Sequence, residues 1–174
     1  SNPMIINYRM NAGYISPEHW VHGPEGGGRN IGEACHIYDL FTFLADSEVK
    51  NISAQAIKPQ NSHYGRNDNF VATLTFADGS VSTLTYTSLG HRDYPKETAE
   101  LYVDGKLAML ENYQRLTIHG AKKLSLKTAI QQKGLKQELR TFADSIRDGN
   151  WPIPWWQQMQ VFEISDLIEH KIHL

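Results

Sequence analysis

The sequence predicts an α+β fold, an open, mainly antiparallel or mixed β-sheet with helices on one face. Two Asp-Gly pairs, Asp78-Gly79 and Asp104-Gly105, each join two strand-like runs. An Asp-Gly pair between such runs is a strong short-range signal for a hairpin. Strand-like segments crowd the middle of the chain, whereas three- and four-residue apolar spacing is confined to 29–45 and to the region after 135. Strands grouped centrally with helices toward the ends point to α+β.

The elements follow in order. Residues 4–10 read as a strand that ends near Ala12 and Gly13. The stretch 14–28 holds Pro17, Pro24 and the run Gly26-Gly27-Gly28, and reads as a long loop of the kind that tends to carry function. Its His19, Trp20 and His22 suit a lid over a polar ligand, or a surface loop pinned by Trp20 in a core groove. From Arg29 to Ala45, Ile31, Ala34, Cys35, Tyr38, Phe41 and Ala45 trace an amphipathic helix, with Asp46-Ser47 as its stop. Gly32, His36, Asp39 and Phe43 form a second stripe beside the apolar one. Strands are expected over 49–57, 70–76, 81–87, 100–103, 106–110 and 115–119. Leu135, Leu139, Phe142, Ala143 and Ile146 trace a helix stopped by Gly149. A last helix runs from Trp155 to Lys171 with Met159, Phe162 and Ile168 among its apolar positions. Trp151, Trp155 and Trp156, set beside prolines, read as a packing cluster.

At 174 residues the chain has room for one domain with its own core. Hydrophobic residues are 40% and charged residues 21%, an ordinary globular balance. A net charge of -2 and the lack of a long basic run argue against nucleic acid as a partner. No apolar run reaches the roughly 20 residues that cross a bilayer, and no signal peptide is evident, so no membrane partner is expected. One cysteine, Cys35, excludes an internal disulfide framework and fits a reducing, cytoplasmic setting. Ser1-Asn2 reads as a cloning remnant. The chain enters a strand almost at once, which suggests a domain cut from a larger protein.

The candidate chemistry gathers at Gly26 to Asp39. Glycines before a helix can cradle phosphate, but the G-x-G-x-x-G spacing after a buried strand is absent, as is G-x-x-x-x-G-K-[ST]. His36 and Asp39 lie three residues apart, on neighbouring parts of one helix face. His36 can act as general acid or base near neutral pH, or hydrogen-bond a substrate hydroxyl, and Asp39 can orient its ring or bind a hydroxyl. The plain alternative is a helix histidine bonded to nearby backbone. Cys35 and His36 are adjacent and point about 100° apart, so they make poor joint metal ligands. No C-x-x-C or H-E-x-x-H spacing exists, and no metal is expected. Arg9 and Asn11 share one face of the first strand; they suit either a polyhydroxylated ligand or solvent.

The run Gly26 to Asp39 with Leu40-Phe41-Thr42-Phe43-Leu44 resembles the signature helix of the glucose–fructose oxidoreductase/inositol dehydrogenase (Gfo/Idh/MocA) family, roughly G-G-G followed by D-x-G-x-H-x-x-D. The leading strand, the Phe76-Ala77-Asp78-Gly79-Ser80 hairpin, the Phe142-Ala143-Asp144-Ser145-Ile146 helix and the closing helix after Pro152-Ile153-Pro154 resemble the family in the same order. The resemblance covers essentially all of 1–174 but only the family's C-terminal domain. It implies a substrate-binding and oligomerisation domain of an NAD(P)-dependent oxidoreductase that acts on a hydroxyl of a sugar, cyclitol or sugar nucleotide. NAD or NADP would be bound mainly by an N-terminal Rossmann domain that this chain does not contain, and this domain alone would be inactive. The resemblance implies that His36 is the catalytic histidine; Arg9, Asn11, Trp20, Arg29, Glu33 and Asp39 are the candidate substrate-binding residues. It also implies a homo-oligomer formed through the open sheet face. The family's aspartate four residues before the histidine is replaced by Gly32, with Glu33 next to it and turned about 100° away. The alternatives are a non-enzymatic carbohydrate-binding module and a structural dimerisation domain.

Overall fold

In the computed structural model, which describes residues 2–122 and 124–174, the first strand of the chain is the pivot of the sheet. β1 (Ile5–Asn11) pairs parallel with β4 (Val81–Thr87), Tyr8 opposite Leu84. On its other side it pairs antiparallel with β5 (Glu97–Val103), Tyr8 opposite Ala99. With β2 (Val49–Ala56), β3 (Phe70–Phe76), β6 (Lys106–Glu111), β7 (Arg115–His119) and β8 (Leu124–Lys127), the order is β2-β3-β4-β1-β5-β6-β7-β8. The predicted α+β class, with an open mixed sheet, is therefore what forms.

Both Asp-Gly hairpins form where the sequence places them. At the first, the Asp78 carboxylate accepts from the Ser80 amide at 2.9 Å and from Ser80 Oγ at 2.7 Å. At the second, Asp104 and Gly105 both take positive φ, 50° and 69°, as a tight turn of matching twist requires. Strand β8 is missing from the sequence reading. It is a four-residue edge strand, exposed throughout, too short for alternation to stand out.

The helices are α1 (Cys35–Ala45), preceded by a π-helical turn at Asn30–Ala34, then α2 (Leu135–Asp148) and α3 (Trp155–His173). One face of β1 sends Ile6, Tyr8 and Met10 into the core, which they share with Leu84 and Tyr86 of β4 and Ala72 and Leu74 of β3 beyond it. Ile37, Tyr38, Phe41 and Ala45 of α1 and Ile164, Ile168 and Ile172 of α3 close the core from above. Each fully buried large apolar side chain contributes about 1.5–3 kcal/mol. Asp46 ends α1 in the left-handed region, its amide bonded to Thr42 O at 2.9 Å, and Gly149 ends α2 in the same way on Ser145 O.

Three expectations are corrected here. The buried face of α3 carries Gln157, Gln160, Ile164, Ser165, Ile168 and Ile172, whereas Met159 and Phe162 are exposed. Gln160 is buried because it is fully engaged. Its oxygen accepts from the Val49 amide at 2.8 Å, and its nitrogen donates to Thr42 Oγ1 and Ser47 O. The tryptophans form no packed cluster: Trp151, Trp155 and Trp156 are all exposed, and the Trp151 ring stands edge-on to that of Phe142. Helix α2 exists but buries none of its residues, so its stripe of Leu135, Leu139, Phe142 and Ile146 faces outward. The helices packed on the sheet are α1 and α3.

Candidate functional site

The entry to α1 is built by side chains that tie three segments together. Gly28 sits at φ 79°, a conformation that favours glycine, and a Cβ there would have to displace the Asn67 side-chain amide 2.3 Å away. Arg29 follows and is 3% exposed. Its guanidinium donates to Gly13 O at 2.6 Å and Ala12 O at 3.1 Å, clamping the end of β1 to the helix entry. Asn30 is fully buried. It donates to Ser165 O and Glu169 Oε2 and accepts from Tyr38 Oη at 2.7 Å, which fixes the turn against α3.

Glu33 is the electrostatic centre. Arg29 Nη2 donates to its Oε2 at 3.0 Å, Tyr86 Oη donates to the same oxygen, and Lys96 Nζ donates to Oε1 at 3.0 Å. Burial alone would raise this carboxyl. The hydrogen bonds from Tyr86 and Lys96 and the charges of Lys96 and Arg29 outweigh it and hold the carboxyl down at about 2. Burial and the carboxylate push the Tyr86 phenol far up, so Tyr86 stays a donor. Glu33 is therefore ionised and anchored, unsuited to carrying a proton during a reaction.

His36 and Asp39 come next, both exposed. Among the described residues nothing hydrogen-bonds the His36 ring, so the backbone-satisfied histidine of the sequence reading is not what forms. Asp39 has its carboxyl raised by burial, with the neighbouring His36 pulling it back. Asp39, Phe43 and Asp46 line a cleft of about 360 Å³ against Pro152, Ile153 and Pro154. The stripe of Gly32, His36, Asp39 and Phe43 is thus real, and it opens to solvent beside a cleft. A Cβ at Gly32 would stand 2.9 Å from Gly26 O. The glycine loop folds back on this position, so a Cβ there would press on the Gly26 carbonyl.

The other sequence-derived candidates divide. Trp20 lies in a short 3-10 turn and is 62% exposed, so no core groove pins it. Arg9 and Asn11 lie on the sheet face opposite the helices. The Arg9 guanidinium stacks 4.0 Å from the Tyr94 ring, and Asn11 Nδ2 donates to His91 O and Tyr94 O. They hold residues 91–95 in place, and the structure does not bring them to His36. Arg29 is a buried clamp rather than a group facing a ligand. A second cleft, of about 430 Å³, lies past the end of β1, lined by Asn11, Gly13, Lys96, Asn112 and Gln131 among others.

Sequence reasoning missed Tyr86 and Lys96, which grip Glu33, and Asp68, whose carboxylate lies 3.7 Å from His22 Nε2. Burial raises Asp68 in spite of the nearby His22 and Arg29 charges. No local motif marks these residues, because strand pairing alone brings them to the helix entry. Cys35 is half-buried, and burial raises its thiol. Among the described residues, no group of three or more His, Cys, Asp and Glu side chains could hold a metal ion. No helix there is long and apolar enough to cross a membrane.

Residues 4–123 match the family model of the GFO/IDH/MocA C-terminal domain. The chain belongs to the GFO/IDH/MocA family. UDP-N-acetylglucosamine 3-dehydrogenase GnnA from Acidithiobacillus ferrooxidans has a similar structure, with TM-score 0.76 and 15% identity over 98% of this chain and 54% of that one. Aldose-aldose oxidoreductase from Caulobacter crescentus, solved with glycerol, gives TM-score 0.75 and 13% identity over 99% of this chain and 53% of that one. The WlbA dehydrogenase from Bordetella pertussis, solved with NADH and UDP-GlcNAcA, gives 0.64 and 13% over 97% and 51%. At these identities the likeness shows the fold. The chain spans about half the length of these GFO/IDH/MocA structures. No curated protein sequence matches it significantly.

Proposed function

We propose that this chain is the substrate-binding domain of an NAD(P)-dependent oxidoreductase that oxidises a hydroxyl of a sugar, cyclitol or sugar nucleotide in the cytoplasm. Family membership and the dehydrogenases among its structural neighbours support the reaction class. The observation that carries the reading is His36. It stands on an exposed stripe beside Asp39 with its ring unengaged, while Arg29, Asn30 and Glu33 around it are all occupied in holding the helix entry.

The residues of this chain do not fit a dinucleotide's phosphates. The cation nearest the glycine loop, Arg29, is buried and neutralised by Glu33, and that acid occupies the first turn, where the helix favours an anion. The cofactor's place is in a separate Rossmann domain. The role of this chain is to seat the substrate and handle the proton. The His36 ring takes the hydroxyl proton, the nicotinamide held by the cofactor domain would accept the hydride from the carbinol carbon, and Asp39 steadies the charged imidazole. The anchored Glu33 holds the turn that aims His36, and the acid–base step falls to His36 without a carboxylate at Gly32.

The sheet face opposite the helices is the proposed homo-oligomer surface. Ile5, Val71, Tyr102 and Met109 are exposed on it among threonines. The decisive experiment is His36→Asn in the enzyme complete with its cofactor domain. Loss of a general base lowers kcat by about 100- to 10,000-fold. A wild-type kcat in a folded variant would reject the assignment and return the chain to a binding module.

A further inference from the structure

Glu97 is a buried carboxylate that the scheme above leaves without a task. It opens β5 opposite Met10, on the helix side of the sheet, and is 4% exposed. Lys133 Nζ donates to its Oε1 at 2.9 Å, while Oε2 is buried without a hydrogen-bond partner among the described residues. A buried charged oxygen with no donor is costly, so it calls for an explanation.

Two tyrosines lie near it, Tyr113 through the Lys133 ammonium they share and Tyr8 through the Tyr113 hydroxyl. Tyr8 Oη and Tyr113 Oη are 3.4 Å apart, loose for two hydroxyls, and the charges of both Glu97 and Glu33 reach the Tyr8 phenol. Burial first, then Tyr113 and those charges, push Tyr8 far up, so it remains an O–H donor. Tyr113 has φ 53° and follows Asn112 at φ 50° in the β6–β7 turn. The β5–β6 turn fills the equivalent place with Gly105. A bulky residue is disfavoured there, and such strain is tolerated where the side chain has a use. This conformation sets the Tyr113 ring 5.3 Å from the Lys133 ammonium.

We propose that Glu97, Tyr8 and Tyr113 form a hydroxyl-binding subsite, separate from His36, that takes a vicinal diol of a polyhydroxylated ligand. One ligand hydroxyl donates to Glu97 Oε2, and its neighbour bonds the loosely paired tyrosine hydroxyls. Lys96 and Asn112, the residues before Glu97 and Tyr113, line the cleft past the end of β1. Lys133, which pairs with Glu97, is itself 49% exposed. The inference deepens the reading above and rests on it for the ligand class.

The test titrates the chain, with ¹³C-labelled tyrosine rings, with D-glucose and myo-inositol, and with cyclohexanol as a single-hydroxyl control. The expected result is saturable shifts of the Tyr8 and Tyr113 signals with a polyol and none with cyclohexanol. Glu97→Gln and the ring-preserving Tyr113→Phe should each weaken that binding at least fivefold, with amide spectra that report an intact fold. Unmoved tyrosine signals, or variants that bind as the wild type does, overturn the subsite. In the complete enzyme, Glu97→Gln should raise KM at least fivefold with a smaller change in kcat. If His36→Asn abolishes turnover while Glu97→Gln keeps a wild-type KM, the subsite falls and the oxidoreductase reading stands. If polyols move the tyrosine signals but the complete enzyme oxidises none, the subsite stands and the oxidoreductase reading falls.

Discussion

Replacing Glu33 by glutamine keeps the shape of the side chain and removes the charge that three donors grip. The folded state holds this carboxyl at about 2, against 4.5 for the free side chain. That gap corresponds to about 3 kcal/mol. The side chain is 30% exposed, and solvent screening reduces the contribution to about 2 kcal/mol. Because the folded value is depressed, the contribution is present above pH 4.5 and is lost as pH falls from there toward 2. Glu33→Gln should therefore be less stable than wild type by about 2 kcal/mol at pH 7, with Arg29 left buried and short of its counter-charge. For a domain of this size, that lowers Tm by about 4–8 °C. Urea unfolding followed by circular dichroism from pH 7 to pH 2 should show the difference closing as the wild type acidifies. A variant as stable as wild type at pH 7, or one with an equally steep acid limb, would refute Glu33 as the ionised anchor of the helix entry.

Other consequences are checked on the same material. Gly32→Asp presses its Cβ into Gly26 O and should cost about 1–3 kcal/mol in thermal unfolding, without raising turnover in the complete enzyme. Gln160→Ala strands the Val49 amide and Thr42 Oγ1 and opens a gap between α1 and α3. Denaturant unfolding should report a loss of about 2–4 kcal/mol. Helix α2, with no buried residue, should exchange its amides far faster than α1 or α3 in a hydrogen-exchange experiment on this chain. Equal protection of all three helices would contradict its outward-facing stripe.

Local signals were legible wherever a short-range rule decides the outcome. The Asp-Gly pairs set two turns, Gly149 stopped α2, Asp46 stopped α1, and the spacing from Arg29 to Ala45 marked the helix that carries His36. The stripe of Gly32, His36, Asp39 and Phe43 could be read in the same way, because a helix places its residues by arithmetic. The faces of α2 and α3 could not. The helix pattern shows which residues share a stripe, but not whether anything covers it. So Gln160 went inside, where three partners satisfy it, and Phe162 stayed outside.

The run from Gly26 to Asp39 therefore determined on its own that a helix would present His36, and with the hairpins and closing helices it carried the resemblance to the family. Only the tertiary structure decided what stands around that helix. The pairing of β1 with both β4 and β5 brings Tyr86 and Lys96 to Glu33 across 53 and 63 residues of chain. It also turns Arg9 and Asn11 away to the opposite face. The folded-back glycine loop brings Gly26 O to within 2.9 Å of where a Cβ at position 32 would stand, an approach that no sequence pattern records. Side-chain direction along one element follows from local geometry, whereas charge pairing between elements depends on sheet order and register, which the whole core sets together.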